Sequence, residues 1–404
     1  MATGKHPRLG PLPVTGTSND GVLPLDLLYD ILLRLPAKPL CRFRAVCTSW
    51  HSLLCHRDFI AAHRRCHSSQ RIAVGICGHG QLPCLVILDM ESGRVVKRVS
   101  TSNYRRSHKM RAVIPHRAVG VVGMDMRLSL MDFATGAISL LPDHAPPRDY
   151  TTVSYTVGRA APTGEYKVLA IAIILKERRH VCKILTLGGG GNGDGGQRRW
   201  RGTGSPPCRV VSPPVPSYNR QTTVVEGVAY FLVFSSCLWY NPELNTAEHD
   251  WIMAFSLDTE AWRPDPIQGP TGCFGIGLGG LDGHLVACHD DRKTCVELWY
   301  LVDPDQALWS MLHQIVMPYH GLPTSSLRQP EHFEKPLAIM DDGRILVWMR
   351  VPTAPGSGGV LVTVLRVYDP RTGDFTDGTR VTNCHDMGVH TWSMLYFGRG
   401  ADTK

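Results

Sequence analysis

Cys288, His289, Asp290 and Asp291 are consecutive, and together they offer the donor types that bind transition metals. Adjacent residues on a strand point to opposite faces, however, so the four cannot converge on one ion without a bend. Cys77 and His79 share a strand face, but two donors are too few for a zinc site. The 13 cysteines run from Cys41 to Cys384 with no C-x-x-C pair, which supports neither a zinc framework nor a thioredoxin motif. Free thiols in a reducing compartment are expected. The chain has no G-x-x-x-x-G-K-[ST], and no G-x-G-x-x-G that opens a helix, so nucleotide binding is not indicated. Gly188 to Asp194 is glycine-rich like a calcium-binding β-roll, but its aspartate is out of register and the segment occurs once. A flexible loop is the better reading. No G-x-S-x-G nucleophile elbow is present. These residues point to a chain with no catalytic site, no cofactor and no metal.

The bulk properties leave room for recognition rather than chemistry. A length of 404 residues suggests two domains, or a small one beside a large one. With 43% apolar and 19% charged residues, a sizeable core can be buried. The longest apolar run, Val168 to Leu175, is far short of a membrane span, so no membrane partner is expected. The first residues carry Lys5, His6, Arg8 and several prolines and glycines without an apolar stretch. That pattern predicts a disordered N-terminus over 1–21 and a cytoplasmic or nuclear protein. The net charge of +8 is spread over many segments with no long Lys/Arg run, so nucleic acid is not an expected partner.

The elements divide by periodicity. In residues 22–68, Leu28, Ile31, Leu32 and Leu35 fall at i, i+3, i+4 and i+7, one face of a helix that starts near Pro24 and stops at Pro36. A second short helix is expected from Pro39, carrying Leu40, Phe43 and Val46. A third follows Cys47, capped by Thr48 or Ser49, with Trp50, Leu53 and Leu54 on its buried side. Asp58 is placed to cap a fourth. So small a bundle cannot bury all these apolar side chains, and the surplus implies a partner surface or packing on the rest of the chain.

From about residue 70 to 398 the pattern becomes short strands with turn signals. Val86 to Leu88 leads into Asp89-Met-Glu-Ser-Gly93, Leu128 to Met131 into Asp132-Phe-Ala-Thr-Gly136, and Leu365 to Tyr368 into Asp369-Pro-Arg-Thr-Gly373. The aspartate can bond its own backbone to start the turn, and the glycine supplies the positive φ that closes it. Weaker copies are Phe255 to Glu260 followed by Trp262, Leu301 to Pro304 followed by Trp309, and Cys182 to Leu187 followed by Trp200. Six such units predict a β-propeller of six blades, with a seventh open. Eight of the nine tryptophans lie between Trp200 and Trp392, as expected if aromatics fill the spaces between blades.

Leu23 to Pro36 (LPLDLLYDILLRLP), Ala37 to Leu40, Arg42 to Cys47 and Ser49-Trp50 closely resemble the F-box. The β region resembles the F-box-associated, Kelch-like region of the large plant family of F-box proteins. The segments that carry this resemblance are Thr163 to Leu169, Ile252 to Arg263, Leu281 to Leu285, Glu297 to Trp299, Asp341 to Leu346 and Val367 to Gly373. The resemblance implies a substrate-recognition subunit of a Skp1-cullin-F-box ubiquitin ligase. The helices would bind a Skp1-type adaptor, and through it cullin and RING subunits, while the propeller presents a protein substrate that the sequence does not identify. Carried over residue by residue, the adaptor contacts are Leu23, Pro24, Leu28, Ile31, Leu32, Leu35, Pro36, Leu40, Val46, Cys47 and Trp50, with half of them equally able to be internal core. Arg34, Lys38, Arg42 and Arg44 are placed to steer an acidic adaptor. Gly321 to Pro336 and Tyr218 to Thr223 are the candidate substrate loops. Some Kelch-like propellers are copper oxidases, but this chain has no recognisable arrangement of their Tyr/His/Cys set. The alternatives are an adaptor-binding protein without ligase function, a propeller enzyme, and a nucleic-acid binder.

Overall fold

The computed structural model describes residues 25–35, 40, 43–56, 59 and 62–63 of the N-terminal part. Between 71 and 391 it describes residues 71–77, 84–89, 95–100, 109–113, 118–122, 128–132, 138–142, 150–161, 163–174, 179–187, 199–208, 210, 222–233, 250–273, 275–291, 295–317, 332–352, 361–382 and 384–391. Residues 1–21 lie outside the described residues. The chain divides into two compact units, with the boundary between His67 and Ser68.

In the first unit, α1 (Leu25–Arg34) and α2 (Thr48–Cys55) are the two longer helices. The N-cap of α2 is Cys47 rather than Thr48 or Ser49: its Sγ accepts the Trp50 N–H at 3.5 Å, and its extended backbone turns the chain into the helix. Leu32, Leu40, Leu54 and Phe59 are buried. Tyr29 packs edge-on against Phe59 at 5.1 Å, and Phe43 against Trp50 at 5.4 Å. Arg44 Nη2 donates to Leu54 O at 3.1 Å, satisfying a carbonyl that the end of α2 leaves unpaired.

The second unit is a ring of antiparallel sheets. Blade 1 holds β1 (Arg71–Cys77), β2 (Cys84–Asp89) and β3 (Val95–Ser100), and blade 2 holds β4 (Lys109–Val113), β5 (Ala118–Val122), β6 (Leu128–Asp132) and β7 (Ile138–Leu140). Blade 3 is β8 (Tyr150–Arg159), β9 (Tyr166–Ile174), β10 (Arg179–Thr186) and β11 (Arg201–Thr203). Blade 4 is β12 (Thr222–Val225), β13 (Val228–Leu232), β14 (Trp251–Ser256) and β15 (Ala261–Trp262), with β16 (Ile267–Gln268) also on β14. Blade 5 is β17 (Gly277–Leu281), β18 (His284–Asp290), β19 (Cys295–Asp303) and β20 (Leu308–Val316). Blade 6 is β21 (His332–Ile339), β22 (Ile345–Pro352), β23 (Leu361–Asp369) and β24 (Asp374–Thr382). The last strand, β25 (Cys384–Thr391), returns to pair with β1 and becomes the innermost strand of blade 1.

The ring has six blades and closes through β25, which packs against β4 on one side and β21 on the other. Successive blades bury a shared core. Leu130 of blade 2 meets Val168 and Leu185 of blade 3, Ile184 meets Phe231 and Phe255 of blade 4, and Ile252 meets Leu278 and Leu285 of blade 5. Val296 and Ile315 then meet Phe333 and Val347 of blade 6, and Trp348 and Leu365 meet Val86 and Leu88 of blade 1. No blade could bury both faces alone.

All six sequence repeats land on one structural position, the connection from the third to the fourth strand of a blade. In blade 6, Asp369 Oδ1 accepts the Arg371 N–H at 2.9 Å, and Gly373, at φ +75°, returns its N–H to Asp369 O at 2.9 Å. The tryptophans that follow the repeats are latches between blades. Trp200 Nε1 donates to Pro142 O, Trp262 Nε1 to Gly204 O and Trp309 Nε1 to Gln268 O, each at 2.8 Å. Each bond ties a tryptophan in or next to the fourth strand of one blade to the backbone of the blade before.

Candidate functional site

On α1 one face is inward and one is outward. Leu32 is buried and Leu28 half-buried, whereas Leu27 and Ile31, four residues apart, are 47% and 41% exposed. Val46, in the turn before α2, is 61% exposed, and Cys47 beside it is exposed. Leu35 and Trp50 are half-buried. Exposed Ile31, Val46 and Cys47 are therefore open to a partner, with Leu28, Leu35 and Trp50 partly so. Leu32 and Leu40 are not: each is no more than 1% exposed and belongs to the core. Leu23, Pro24 and Pro36 lie outside the described residues. Leu27 was not among the expected contacts, although α1 has more apolar residues than one face can use, and the i, i+4 pair Leu27/Ile31 is the trace of that second stripe.

The basic residues divide in the same way. Arg34 is exposed in the last turn of α1, whereas Arg44 is half-buried and bonded to Leu54 O, a structural cap rather than a free steering charge. Lys38 and Arg42 lie outside the described residues. His63 is buried, and its Nε2 is 2.8 Å from Leu35 O, which anchors the end of α1.

In the propeller, alternating strand direction sorts the connections by rim. The first-to-second and third-to-fourth connections open at one rim; the second-to-third and blade-to-blade connections open at the other. At the first rim most turns are tight, as in Val225–Val228 and Leu281–His284, although the long connection from Thr186 at the end of β10 to Arg201 at the start of β11 also opens there. The second rim anchors the long connections after β11, β13 and β20. The candidate substrate segments Tyr218 to Thr223 and Gly321 to Pro336 are both blade-to-blade. Their ends are strand rather than loop, Thr222 and Thr223 in β12 and His332 to Pro336 in β21, and the rest lies outside the described residues. Gly188 to Gly196 and Thr353 to Gly359 also lie outside them.

Cys288 and His289 alternate as a strand requires. Cys288 is buried in the core shared by blades 5 and 6, while His289 faces Glu297 on the neighbouring strand. Cys182 is deeply buried between blades 3 and 4, and burial pushes its thiol up to about 12 against a smaller downward pull from Trp262, so it is an inert core thiol at neutral pH.

Residues 22–61 match the F-box domain family. An F-box/kelch-repeat protein of Arabidopsis thaliana is 25% identical over 403 residues, covering 92% of this chain and 95% of its own length. An F-box protein of the same plant is 24% identical over 412 residues, covering 96% and 92%. Among solved structures, the β-propeller domain of the trilobed protease from Pyrococcus furiosus aligns with 68% of this chain and 84% of its own at 8% identity and a TM-score of 0.36. The chain thus carries an F-box domain at its N-terminus and a six-bladed propeller after it, and its similarity to F-box and F-box/kelch-repeat proteins of Arabidopsis thaliana runs along nearly its whole length.

Proposed function

We propose that this protein is the substrate receptor of a Skp1-cullin-F-box ubiquitin ligase and has no catalytic site of its own. The helical unit binds the Skp1-type adaptor through Leu27, Ile31, Val46 and Cys47, with Leu28, Leu35 and Trp50 at the margin, and Leu32 and Leu40 hold that surface in shape from within. Cullin and RING subunits are reached through the adaptor and supply the transfer chemistry, while the propeller holds a protein substrate at high effective concentration beside it. The substrate is taken at the second rim, where the long connections after β11, β13 and β20 are anchored. The single observation behind this reading is the F-box match over the helices that leave Leu27, Ile31 and Val46 exposed.

The test is capture of purified Skp1-type adaptor by the full chain and by an Ile31→Glu/Val46→Glu variant. Both positions are exposed, so the variant should keep the wild-type circular dichroism spectrum while adaptor affinity falls by about 100-fold, the effect of placing charge in an apolar contact centre. Absence of binding by folded wild-type protein would sink the receptor reading. Binding without turnover of any partner in cells would favour the adaptor-binding protein that lacks ligase function.

A further inference from the structure

His289 and Glu297 are directly opposite each other on β18 and β19. Cys273, buried in the connection that leads from blade 4 into β17, reaches the same point. Cys273 Sγ lies 3.8 Å from Glu297 Oε2, and His289 Nδ1 lies 3.5 Å from the same oxygen. All three donor atoms fall within 4.8 Å of one another. His289 Nδ1 is buried and has no hydrogen-bond partner, although it faces a carboxylate. A tetrahedral zinc ion with Zn–S of about 2.3 Å and Zn–N or Zn–O of about 2.0–2.1 Å sets neighbouring donors about 3.3–3.5 Å apart, close to the two measured edges.

We propose that Cys273, His289 and Glu297 bind a single zinc ion, with the fourth position open to water. The donor set suits that metal: a thiolate, a neutral imidazole and one carboxylate carry two negative charges, which balance a divalent cation. On binding, the Cys273 S–H proton is released to solvent and a Zn–S bond forms. The surroundings are built to hold the ligands. Trp299 Nε1 donates to Glu297 Oε2 at 3.0 Å, fixing the carboxylate. Asp250 Oδ2 accepts the Ile276 N–H at 2.8 Å, which ties down the connection that carries Cys273. His289 and Glu297 side chains are 21% and 25% exposed, so an ion has a path to the site. The cluster sits at the rim where the second-to-third and blade-to-blade connections emerge, and it does not depend on adaptor binding.

The test is titration of the full-length metal-free protein with Co2+, followed by competition with Zn2+. Wild type is expected to bind one ion per chain, with the sulfur-to-cobalt charge-transfer band and the visible bands of a tetrahedral ion, both removed by Zn2+. Cys273→Ser should abolish the charge-transfer band, and Glu297→Gln, nearly isosteric and therefore safe for the fold, should weaken binding by more than about 100-fold. Cys208→Ser, a half-buried thiol outside the cluster, should bind as wild type. No such band in folded wild type, or one that persists in both Cys273→Ser and Glu297→Gln, overturns the proposal and leaves a His289–Glu297 ion pair in its place.

Discussion

Glu260 shows how one side chain can hold two blades together. It closes the third-to-fourth connection of blade 4 at φ +56°, and its Oε1 receives Lys167 Nζ at 2.9 Å and Arg201 Nη2 at 2.7 Å, both from blade 3. Lys167 is nearly buried and also donates to Leu257 O at 2.7 Å. A buried ammonium that loses its carboxylate is left uncompensated, so Glu260→Gln should destabilise the propeller by about 2 kcal/mol, below the usual figure for a fully buried pair because Glu260 is partly exposed. Urea unfolding of the two proteins measures this. Burial pushes the Glu260 carboxyl up, but hydrogen bonds and charges from Lys167 and Arg201 outweigh it and hold the group below its ordinary 4.5. With the folded value depressed, the stabilisation is fully present above 4.5 and is lost as pH falls through the lower folded value. The gap between wild type and Glu260→Gln should therefore close on acidification below that point.

At the scale of elements, turns and latches set the blades. The β12–β13 turn places Glu226 at φ 44° and Gly227 at φ +82°, the paired positive values of the tightest hairpin loop. A Cβ at Gly227 would also come within 3.1 Å of Ala161 N and 3.3 Å of Arg159 O, backbone atoms of the neighbouring blade that cannot rotate away. Gly227→Ala should cost about 1–3 kcal/mol and lower the melting temperature. Trp262→Phe keeps much of the packing against Phe231 and Phe255 but removes the donor to Gly204 O. A loss of about 1 kcal/mol is expected in the same melt. The adaptor surface belongs to this scale too: α1 buries Leu32, and the stripe left over, Leu27 and Ile31, is what the helix has to offer a partner.

At the scale of the whole molecule, the ring is held shut by its last strand. β25 covers the inner edge of β1 and brings buried Met387 into the core between blades 6 and 1. A chain ending at residue 382 keeps every hairpin yet exposes an unpaired inner edge, which is a template for aggregation. Such a truncation should lose its cooperative thermal transition and elute as aggregate in size exclusion, while wild type melts in one propeller transition. Retention of a sharp melt by the truncated chain would show that closure through β25 is dispensable.

Much of this was legible in the sequence because it is written in contiguous residues. The Asp-x-x-Ser/Thr-Gly turns, the tryptophans after them and the ordered F-box motif are each read within a few positions, and turn chemistry and helix periodicity act at that range. The six repeats lie between the third and fourth strands of the six blades for that reason. Tertiary structure decided which apolar residues of the helices are core and which face outward, since Leu27 and Leu32 look alike until the bundle is packed. It also decided the metal donors. Cys288 and His289 are neighbours in sequence, and the strand sends them to opposite faces, as its alternation predicts. His289 finds its partners instead across the β18–β19 register and from the preceding blade-to-blade connection, juxtapositions that no local pattern encodes because strand pairing and ring closure create them.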